Sequence, residues 1–219
     1  MILESDRHSS IRVQESQSSC YPKNILHSPI ALMVALPDRL SMSAEEYLAW
    51  EPTQEQRYEY WDGEVVATTG QSRNHSRISG NFFRILDDAL FEGPCEPYIA
   101  DVKVQVQRGK KYFYPDVVVT CDDRDNDPQL VQFPCLIVEV LSPSTESLDR
   151  GTKFAKYRQF LTLQEYVLVQ VEQPGVEMFR RNQQGQWVLS EYNLGDSLTL
   201  ESVGVEIAIG DLYRQIQFS

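Results

Sequence analysis

The stretch PCLIVEVLSPSTESLDRGTKFAKY, residues 134–157, places one acidic residue inside a run of aliphatic side chains. Residues 136–141 read LIVEVL, and Glu139 is the only polar residue among them. Side chains alternate between the two faces of a strand, so both faces of this run are apolar and the strand is predicted to lie at the centre of a sheet. Glu139 is therefore predicted to be buried, where its charge is unfavourable unless a cation, a metal ion or hydrogen-bond donors compensate it.

A second acid lies beside another aliphatic run, in YPDVVVT, residues 114–120. Proline within a sheet is confined to an edge, a bulge or the first residue of a strand, so Pro115 predicts that Asp116 lies where this strand begins or bends. Asp116 and Glu139 are then two acids in two apolar strands. Backbone amides or an internal salt bridge also satisfy buried acids, and this structural role remains the alternative to a binding site.

The residues that follow the aliphatic run predict a helix that carries a lysine towards both acids. A Ser-Pro pair ends the strand, and the helix is predicted to run from about residue 145 or 149 to residue 160. Phe154, Tyr157 and Leu161 have helical spacing and are expected to face the sheet. Lys153 lies next to this face, so its long side chain can extend over the ends of the strands; a solvated surface lysine is the alternative.

Two acids and one lysine are the groups that metal-assisted hydrolysis of a phosphodiester requires. Paired carboxylates bind Mg²⁺ together with water and phosphate oxygens, and a lysine stabilises the developing negative charge or positions the water. The sequence therefore predicts a Mg²⁺ site formed by Asp116 and Glu139, with Mn²⁺ as a substitute ion and Lys153 as the electrostatic group.

The remaining sequence patterns predict an α+β fold. The sequence SAEE, residues 43–46, is a capping box that opens a short helix, and Asp62-Gly63 predicts a tight hairpin. Ser72 is the predicted N-cap of a longer helix whose apolar residues recur at helical spacing. Alternating runs predict further strands, including a hairpin over residues 176–192. Together these elements predict a mixed β-sheet flanked by helices, with additional β-hairpins.

Length and composition fit one globular domain with an N-terminal extension. Residues 1–36 are rich in serine and lack a periodic pattern, so they are predicted to be disordered, and residues 37–219 are predicted to form the folded domain. The sequence contains neither an apolar run long enough to span a membrane nor a signal peptide, so a cytoplasmic protein is expected. The four cysteines form no pattern at zinc-ligand spacing and are expected to be reduced thiols.

The formal net charge of -12 restricts how this protein can bind a nucleic acid. A protein that binds nucleic acid by bulk attraction needs a basic surface, which this composition does not provide. An enzyme that concentrates acids around a metal ion and keeps its few basic residues at a substrate groove is compatible with the composition.

Three stretches, YPDVVV, LIVEVLSPST and DRGTKFAKYRQFLTLQEYVLV, resemble the signature of the Uma family, a former domain of unknown function placed among restriction endonucleases of the PD-(D/E)XK nuclease superfamily. The resemblance extends over about residues 34–216. It implies a restriction-endonuclease-like fold and Mg²⁺-dependent cleavage of DNA, with Asp116 as the first metal ligand and Glu139 as the acid of the E-x-K element. Leu141 stands where the superfamily has its lysine, and Lys153 on the following helix matches the position that the family uses instead.

The resemblance also implies two supporting residues at the site. Glu59 corresponds to an acid of the early hairpin, and His75 corresponds to a histidine at the beginning of the early helix. Each residue has a structural alternative, because Glu59 can pair with Arg57 across the turn and His75 can be a core histidine bonded to a carbonyl group.

Two other functions are compatible with the sequence. A catalytically inactive relative would keep the acids for folding and would bind nucleic acid or a protein partner. A structural or dimerisation module would pair two copies of the chain through the exposed strands after residue 176, so a homodimer is an expectation to test.

Overall fold

The aliphatic run around Glu139 forms a strand in the computed structural model, which describes residues 40–68, 70–107 and 109–218. The predicted extension, residues 1–36, lies outside the described residues. The strands are β1 (Leu40–Ser41), β2 (Tyr58–Trp61), β3 (Glu64–Ala67), β4 (Glu96–Ile99), β5 (Lys103–Val106), β6 (Lys111–Phe113), β7 (Val117–Thr120), β8 (Leu130–Val131), β9 (Pro134–Leu141), β10 (Glu165–Gln170), β11 (Val176–Arg181), β12 (Trp187–Tyr192), β13 (Ser197–Leu200) and β14 (Val205–Ala208). The helices are α1 (Ala44–Trp50), α2 (Arg73–Leu90), α3 (Glu146–Leu148), α4 (Phe154–Tyr157) and α5 (Ile209–Leu212), with a 3₁₀ turn at Glu51–Thr53 and a π-helical turn at Asp149–Lys153.

Strand β9 lies inside a six-stranded sheet with the order β12-β11-β10-β9-β7-β4, which we call the central sheet. It pairs parallel with β10 and antiparallel with β7. Its side chains alternate as predicted, because Val138 and Val140 pack in the cluster that contains α2, whereas Ile137 and Leu141 pack in a second cluster. The prediction of an interior strand with two apolar faces is confirmed.

A second six-stranded sheet has the order β1-β3-β2-β6-β5-β8, and β13 pairs with β14 in a separate hairpin. Val104 and Phe113 of the second sheet pack in one cluster with Ile137 and Tyr166 of the central sheet. The two sheets therefore share a core on one side of β9. The predicted α+β class, with mixed sheets, flanking helices and additional hairpins, is confirmed.

Helix α2 covers the other face of the central sheet. The Ser72 hydroxyl accepts a hydrogen bond of 3.1 Å from the backbone N–H of His75 and caps the helix as predicted. Ile78, Phe82 and Leu86 are fully buried in the cluster that includes the strands of that face. The apolar stripe of α2 therefore fixes which side of the helix faces the sheet and which side faces solvent.

The early hairpin turns where the sequence predicts it. Asp62 and Gly63 have φ values of 55° and 107°, which are the left-handed conformations that a tight hairpin turn needs. The turn sets the register of β2 and β3, in which Glu59 is paired with Val66. Because β2 also pairs with β6, Glu59 lies in the interior of the second sheet.

The predicted helix after β9 is divided by the π-helical turn between α3 and α4. Tyr157 is buried as predicted, but Leu161 is 83% exposed, so the expectation that Leu161 faces the sheet is wrong. The physical reason is that α4 ends at Tyr157, and the chain then turns so that Leu163 rather than Leu161 enters the core.

Cys95 and Cys121 form a disulfide, so the expectation of reduced thiols is wrong for this pair. The two residues are 26 positions apart in the sequence. They come together because Cys95 precedes β4 and Cys121 follows β7, and these strands are antiparallel neighbours. Cys135 has a free thiol.

We expect Leu163→Ala to lower the free energy of unfolding by about 2–5 kcal/mol, because truncating a fully buried leucine removes apolar contacts and leaves a cavity. Leu161→Ala is the matched control and should stay within about 0.5 kcal/mol of the parent protein, since its side chain is exposed. Urea unfolding followed by circular dichroism measures both changes. Equal losses in the two variants would contradict this difference in burial.

Candidate active site

The five residues predicted for the site line one cavity of about 230 Å³. All five side chains are buried. Each comes from a different part of the fold: Glu59 from β2, His75 from α2, Asp116 from the residue before β7, Glu139 from β9 and Lys153 from the π-helical turn. The fold therefore gathers residues that are far apart in the sequence.

Asp116 is held by hydrogen-bond donors at both carboxylate oxygens. Its Oδ2 accepts a hydrogen bond of 2.7 Å from the backbone N–H of Val140 and lies 3.3 Å from His75 Nε2. Its Oδ1 accepts a hydrogen bond of 3.0 Å from Gln71 Nε2. These contacts fix the orientation of the carboxylate within the cavity.

The register of β7 and β9 places the two acids opposite each other. Val117 is paired with Val138, and strand partners in an antiparallel pair change by one residue in opposite directions, so Asp116 lies opposite Glu139. Asp116 directly precedes the strand, as Pro115 predicts. Both carboxyl groups line the same cavity.

Lys153 reaches Glu139 from the helical turn that follows β9. Its Nζ lies 3.3 Å from Glu139 Oε1, and the hydroxyl of Tyr157 donates a hydrogen bond of 3.0 Å to the same oxygen. Leu141, at the usual lysine position of the E-x-K element, packs in the core instead. Lys153 therefore contacts Glu139 from the π-helical turn and not from β9.

Three carboxylates surround the ammonium group of Lys153. Besides its contact with Glu139, Nζ lies 2.9 Å from Glu59 Oε1 and 3.5 Å from Asp149 Oδ1. Burial by itself opposes a charge on this lysine, but the three carboxylates together raise its pKa well above the ordinary value. Lys153 is therefore positively charged at neutral pH.

Glu59 pairs with Lys153 and not with Arg57 across the hairpin turn. Its Oε1 also accepts a hydrogen bond of 3.3 Å from the backbone N–H of Tyr114, and its Oε2 accepts one of 3.3 Å from Trp61 Nε1. Arg57 instead pairs with Asp101 at 2.7 Å. Glu59 is thus fixed from both sides and directed towards the cavity.

Three further residues contribute to the site without being predicted for it: Asp149, Tyr157 and Gln71. Asp149 lines the cavity, and its position four residues before Lys153 in DRGTK is a spacing that could have suggested a contact. The contacts of Tyr157 and Gln71 with the acids have no comparable sequence signal, because tertiary packing alone brings these side chains there.

The cavity is lined by more acidic than basic side chains. Four buried carboxyl groups, those of Glu59, Asp116, Glu139 and Asp149, line it together with one lysine. Burial raises the pKa of Glu139 well above its ordinary value despite the nearby Lys153, and burial also raises the pKa of Asp149. A divalent cation would offset the excess negative charge and favour the ionised carboxylates.

Two buried polar atoms at the site have no hydrogen-bond partner among the described residues. They are His75 Nδ1 and Asp149 Oδ1. Asp149 Oδ1 has its ion-pair contact of 3.5 Å with Lys153, and each of the two atoms has capacity for a hydrogen bond with water or a substrate group.

The donor set is of the kind that Mg²⁺ uses. This ion is commonly bound by one or two carboxylates together with water and phosphate oxygens, and Asp116 and Glu139 supply two carboxylates beside one cavity. Within residues 40–68, 70–107 and 109–218, no group of three or more His, Cys, Asp or Glu side chains is arranged to hold a metal ion. Asp116 and Glu139 are the two residues that would hold such an ion, and its remaining ligands would come from water or substrate.

The fold matches that of a solved structure. It is similar to the crystal structure of a protein from Anabaena variabilis described as "a putative nuclease belonging to DUF820", with a TM-score of 0.65 over 79% of this chain and 98% of that chain, at 15% sequence identity. The chain belongs to the family described as "Uma2: Putative restriction endonuclease", whose model matches residues 44–210. The family membership expected from the sequence motifs is confirmed.

Two relatives from Synechocystis sp. are similar to most of this chain. Uncharacterized protein slr1290 is 41% identical over 195 residues, which cover 89% of this chain and all of the relative. Uncharacterized protein sll1609 is 33% identical over 163 residues, which cover 73% of this chain and 92% of the relative.

No helix in the described part of this chain has the length and apolar character needed to cross a membrane.

We expect the free energy of unfolding of Glu139→Gln to increase relative to that of the parent chain as the pH rises, when both proteins are free of metal ions. Burial raises the pKa of Glu139, so above about pH 4.5 the folded protein keeps a proton that the unfolded chain has released. The stability due to this protonated acid is present below that pH and is lost as the pH rises towards the folded-state pKa, by up to about 1.4 kcal/mol per pH unit. Urea unfolding of both proteins from about pH 5 to pH 8, without divalent ions, measures the difference.

Added Mg²⁺ provides the second arm of this experiment. A ligand that binds the folded state raises its stability, so Mg²⁺ should stabilise the parent chain more than Glu139→Gln. A stability difference that is constant with pH would contradict the buried, proton-retaining state of Glu139. Equal stabilisation of both proteins by Mg²⁺ would contradict a role of Glu139 as a ligand.

Proposed function

We propose that this chain is a Mg²⁺-dependent endonuclease that hydrolyses phosphodiester bonds of DNA. The observation that carries the proposal is the contact of 3.3 Å between Lys153 Nζ and Glu139 Oε1 in the cavity that Asp116 also lines. This contact brings a lysine to the two acids, although Leu141 occupies the usual lysine position of the E-x-K element. The nuclease-like fold and the description of the family support a nucleic-acid substrate.

In this proposal Asp116 and Glu139 hold the Mg²⁺ ion. When bound, Mg²⁺ supplies Lewis-acid polarisation of a phosphate oxygen and a lowered pKa of a coordinated water. The hydrogen bonds that Asp116 accepts from Val140 and Gln71 orient its carboxylate before any ligand arrives. His75 Nε2 supports the same carboxylate. Its Nδ1 has no hydrogen-bond partner in the described part of the chain, so it can donate a hydrogen bond to water or substrate or accept one from them.

Lys153 stabilises the negative charge that develops on the phosphate during hydrolysis. Its raised pKa keeps the ammonium group charged, and the surrounding carboxylates fix its position. A fixed charge of this kind needs little reorganisation as the reaction proceeds, which makes it more effective than a mobile surface lysine. Glu59 is then a positioning residue for Lys153, itself held by the Tyr114 N–H and the Trp61 indole.

We expect Asp116→Asn and Lys153→Met each to lower the rate of Mg²⁺-dependent DNA cleavage by at least about 100-fold, because each removes a charge that the proposed reaction requires. The assay follows nicking and linearisation of a supercoiled plasmid by the purified full chain. It is run with Mg²⁺, with Mn²⁺ and without divalent ions. The parent chain should cleave with either ion and should be inactive without them.

Glu165→Gln is the matched control for these variants. Glu165 is also fully buried and pairs with Arg180 at 2.8 Å, but it does not line the cavity. This variant should cleave at the rate of the parent chain, and circular dichroism checks the folding of all three variants. Undiminished cleavage by folded Asp116→Asn would reject this site. A parent chain that cleaves nothing with either ion would instead support an inactive relative that binds nucleic acid or a protein.

A further inference from the structure

Helix α2 presents a row of arginine side chains on the side opposite its apolar stripe. Arg73, Arg77 and Arg84 share one face at helical spacing, with Ser76 and Gly80 beside them. We call these five residues the arginine face. The three arginines and Ser76 are exposed to solvent.

The charge of the arginine face is largely unbalanced. Within the part of the chain that the structure describes, no carboxylate lies at ion-pair distance from Arg73 or Arg77, whereas Arg84 pairs with Asp88 at 3.0 Å. None of the residues that line the groove along this face is acidic, in a chain with 32 acidic and 20 basic residues. The face is therefore a local basic surface on a strongly acidic protein.

The groove along the arginine face is continuous with the candidate active site. Gln71 lines both the groove and the cavity of the site. Its side-chain amide donates the hydrogen bond of 3.0 Å to Asp116 Oδ1. A polymer bound along the groove would therefore pass Gln71 and reach Asp116, the proposed metal ligand.

We infer that the arginine face binds the sugar–phosphate backbone of the nucleic acid and directs a strand into the cavity. The inference rests on the proposed function for the nature of the substrate, but it concerns binding and does not require cleavage. Arg73 and Arg84 are separated by about 16 Å along the helix axis, which corresponds to about five nucleotides at the rise of a duplex. Contacts to phosphates give affinity and orientation without sequence preference, so this face accounts for binding and not for recognition of a particular site.

Gly80 offers a way to test the face without damaging the fold. A Cβ atom at Gly80 would have no heavy atom within 4 Å other than those of its own helix backbone and chain neighbours. Glutamate also has a higher helix propensity than glycine. Gly80→Glu therefore places a carboxylate between the arginines while the helix should remain at least as stable.

We expect Arg73→Gln combined with Arg77→Gln to weaken nucleic-acid binding and to flatten its dependence on salt. Removing two phosphate contacts should reduce the slope of log K against log salt concentration by about two for duplex DNA, and by less for a single strand. The measurement is fluorescence anisotropy of labelled DNA with the full chain in buffer without divalent ions, so that no cleavage occurs. Duplex DNA, single-stranded DNA and RNA of matched sequence distinguish the possible sources of the phosphate backbone.

The matched control removes the same amount of charge elsewhere. Arg124 and Arg158 are exposed and lie outside the groove, so Arg124→Gln combined with Arg158→Gln should leave the slope at the value of the parent chain. Gly80→Glu should weaken binding without loss of thermal stability. Together the variants separate a local contact from the effect of net charge.

The outcomes distinguish this inference from the proposed function. A slope that is unchanged by the Arg73 and Arg77 substitutions, an equal drop in the control, or no binding by the parent chain would each overturn the arginine face as a binding surface. If the slope falls as expected but the parent chain cleaves no substrate with Mg²⁺ or Mn²⁺, the binding surface stands and the catalytic proposal fails. If cleavage occurs while the slope is unaffected, the catalytic proposal stands alone.

Discussion

The ammonium group of Lys153, buried among three carboxylates, is the interaction on which the site depends. Glu139, Glu59 and Asp149 come from the central sheet, the second sheet and the π-helical turn, so a single cation joins three parts of the fold. Without it the carboxyl groups would retain protons still more strongly, because carboxylates repel one another in surroundings that solvate charge poorly. Among the described residues that line the cavity, Lys153 is the one basic side chain beside four acidic ones.

The elements around the cavity explain how an unusual lysine position is accommodated. The strand that carries Glu139 continues to Leu141, whose side chain packs in the core. The lysine belongs instead to the π-helical turn that follows the strand. That turn is π-helical, a conformation that occurs frequently at functional sites, and it carries both Asp149 and Lys153. In this chain the ammonium group therefore reaches Glu139 from the π-helical turn and not from β9.

The proposed function requires this acidic protein to separate two kinds of surface. Here four acidic side chains are concentrated in a buried cavity, where a cation can offset them, and exposed arginines lie on the solvent side of α2. The same helix serves both surfaces, because its first turn directs His75 to Asp116 while the opposite side presents Arg73 and Arg77. The net charge of -12 therefore says little about the local field that a substrate would meet.

The sequence by itself determined the elements whose residues repeat with a simple period: the interior strand around Glu139, the beginning of the next strand at Asp116, the Asp62-Gly63 turn and the apolar stripe of α2. Local sterics and the alternation of side chains decide these features, and family motifs pointed to the residues that now share one cavity. Only the tertiary structure decided that Gln71 meets Asp116 in the site, that Cys95 meets Cys121 and that Leu163 replaces Leu161 in the core. These contacts depend on where a helix ends and which strands become neighbours, and no local pattern encodes the distance between residues that are far apart in the chain.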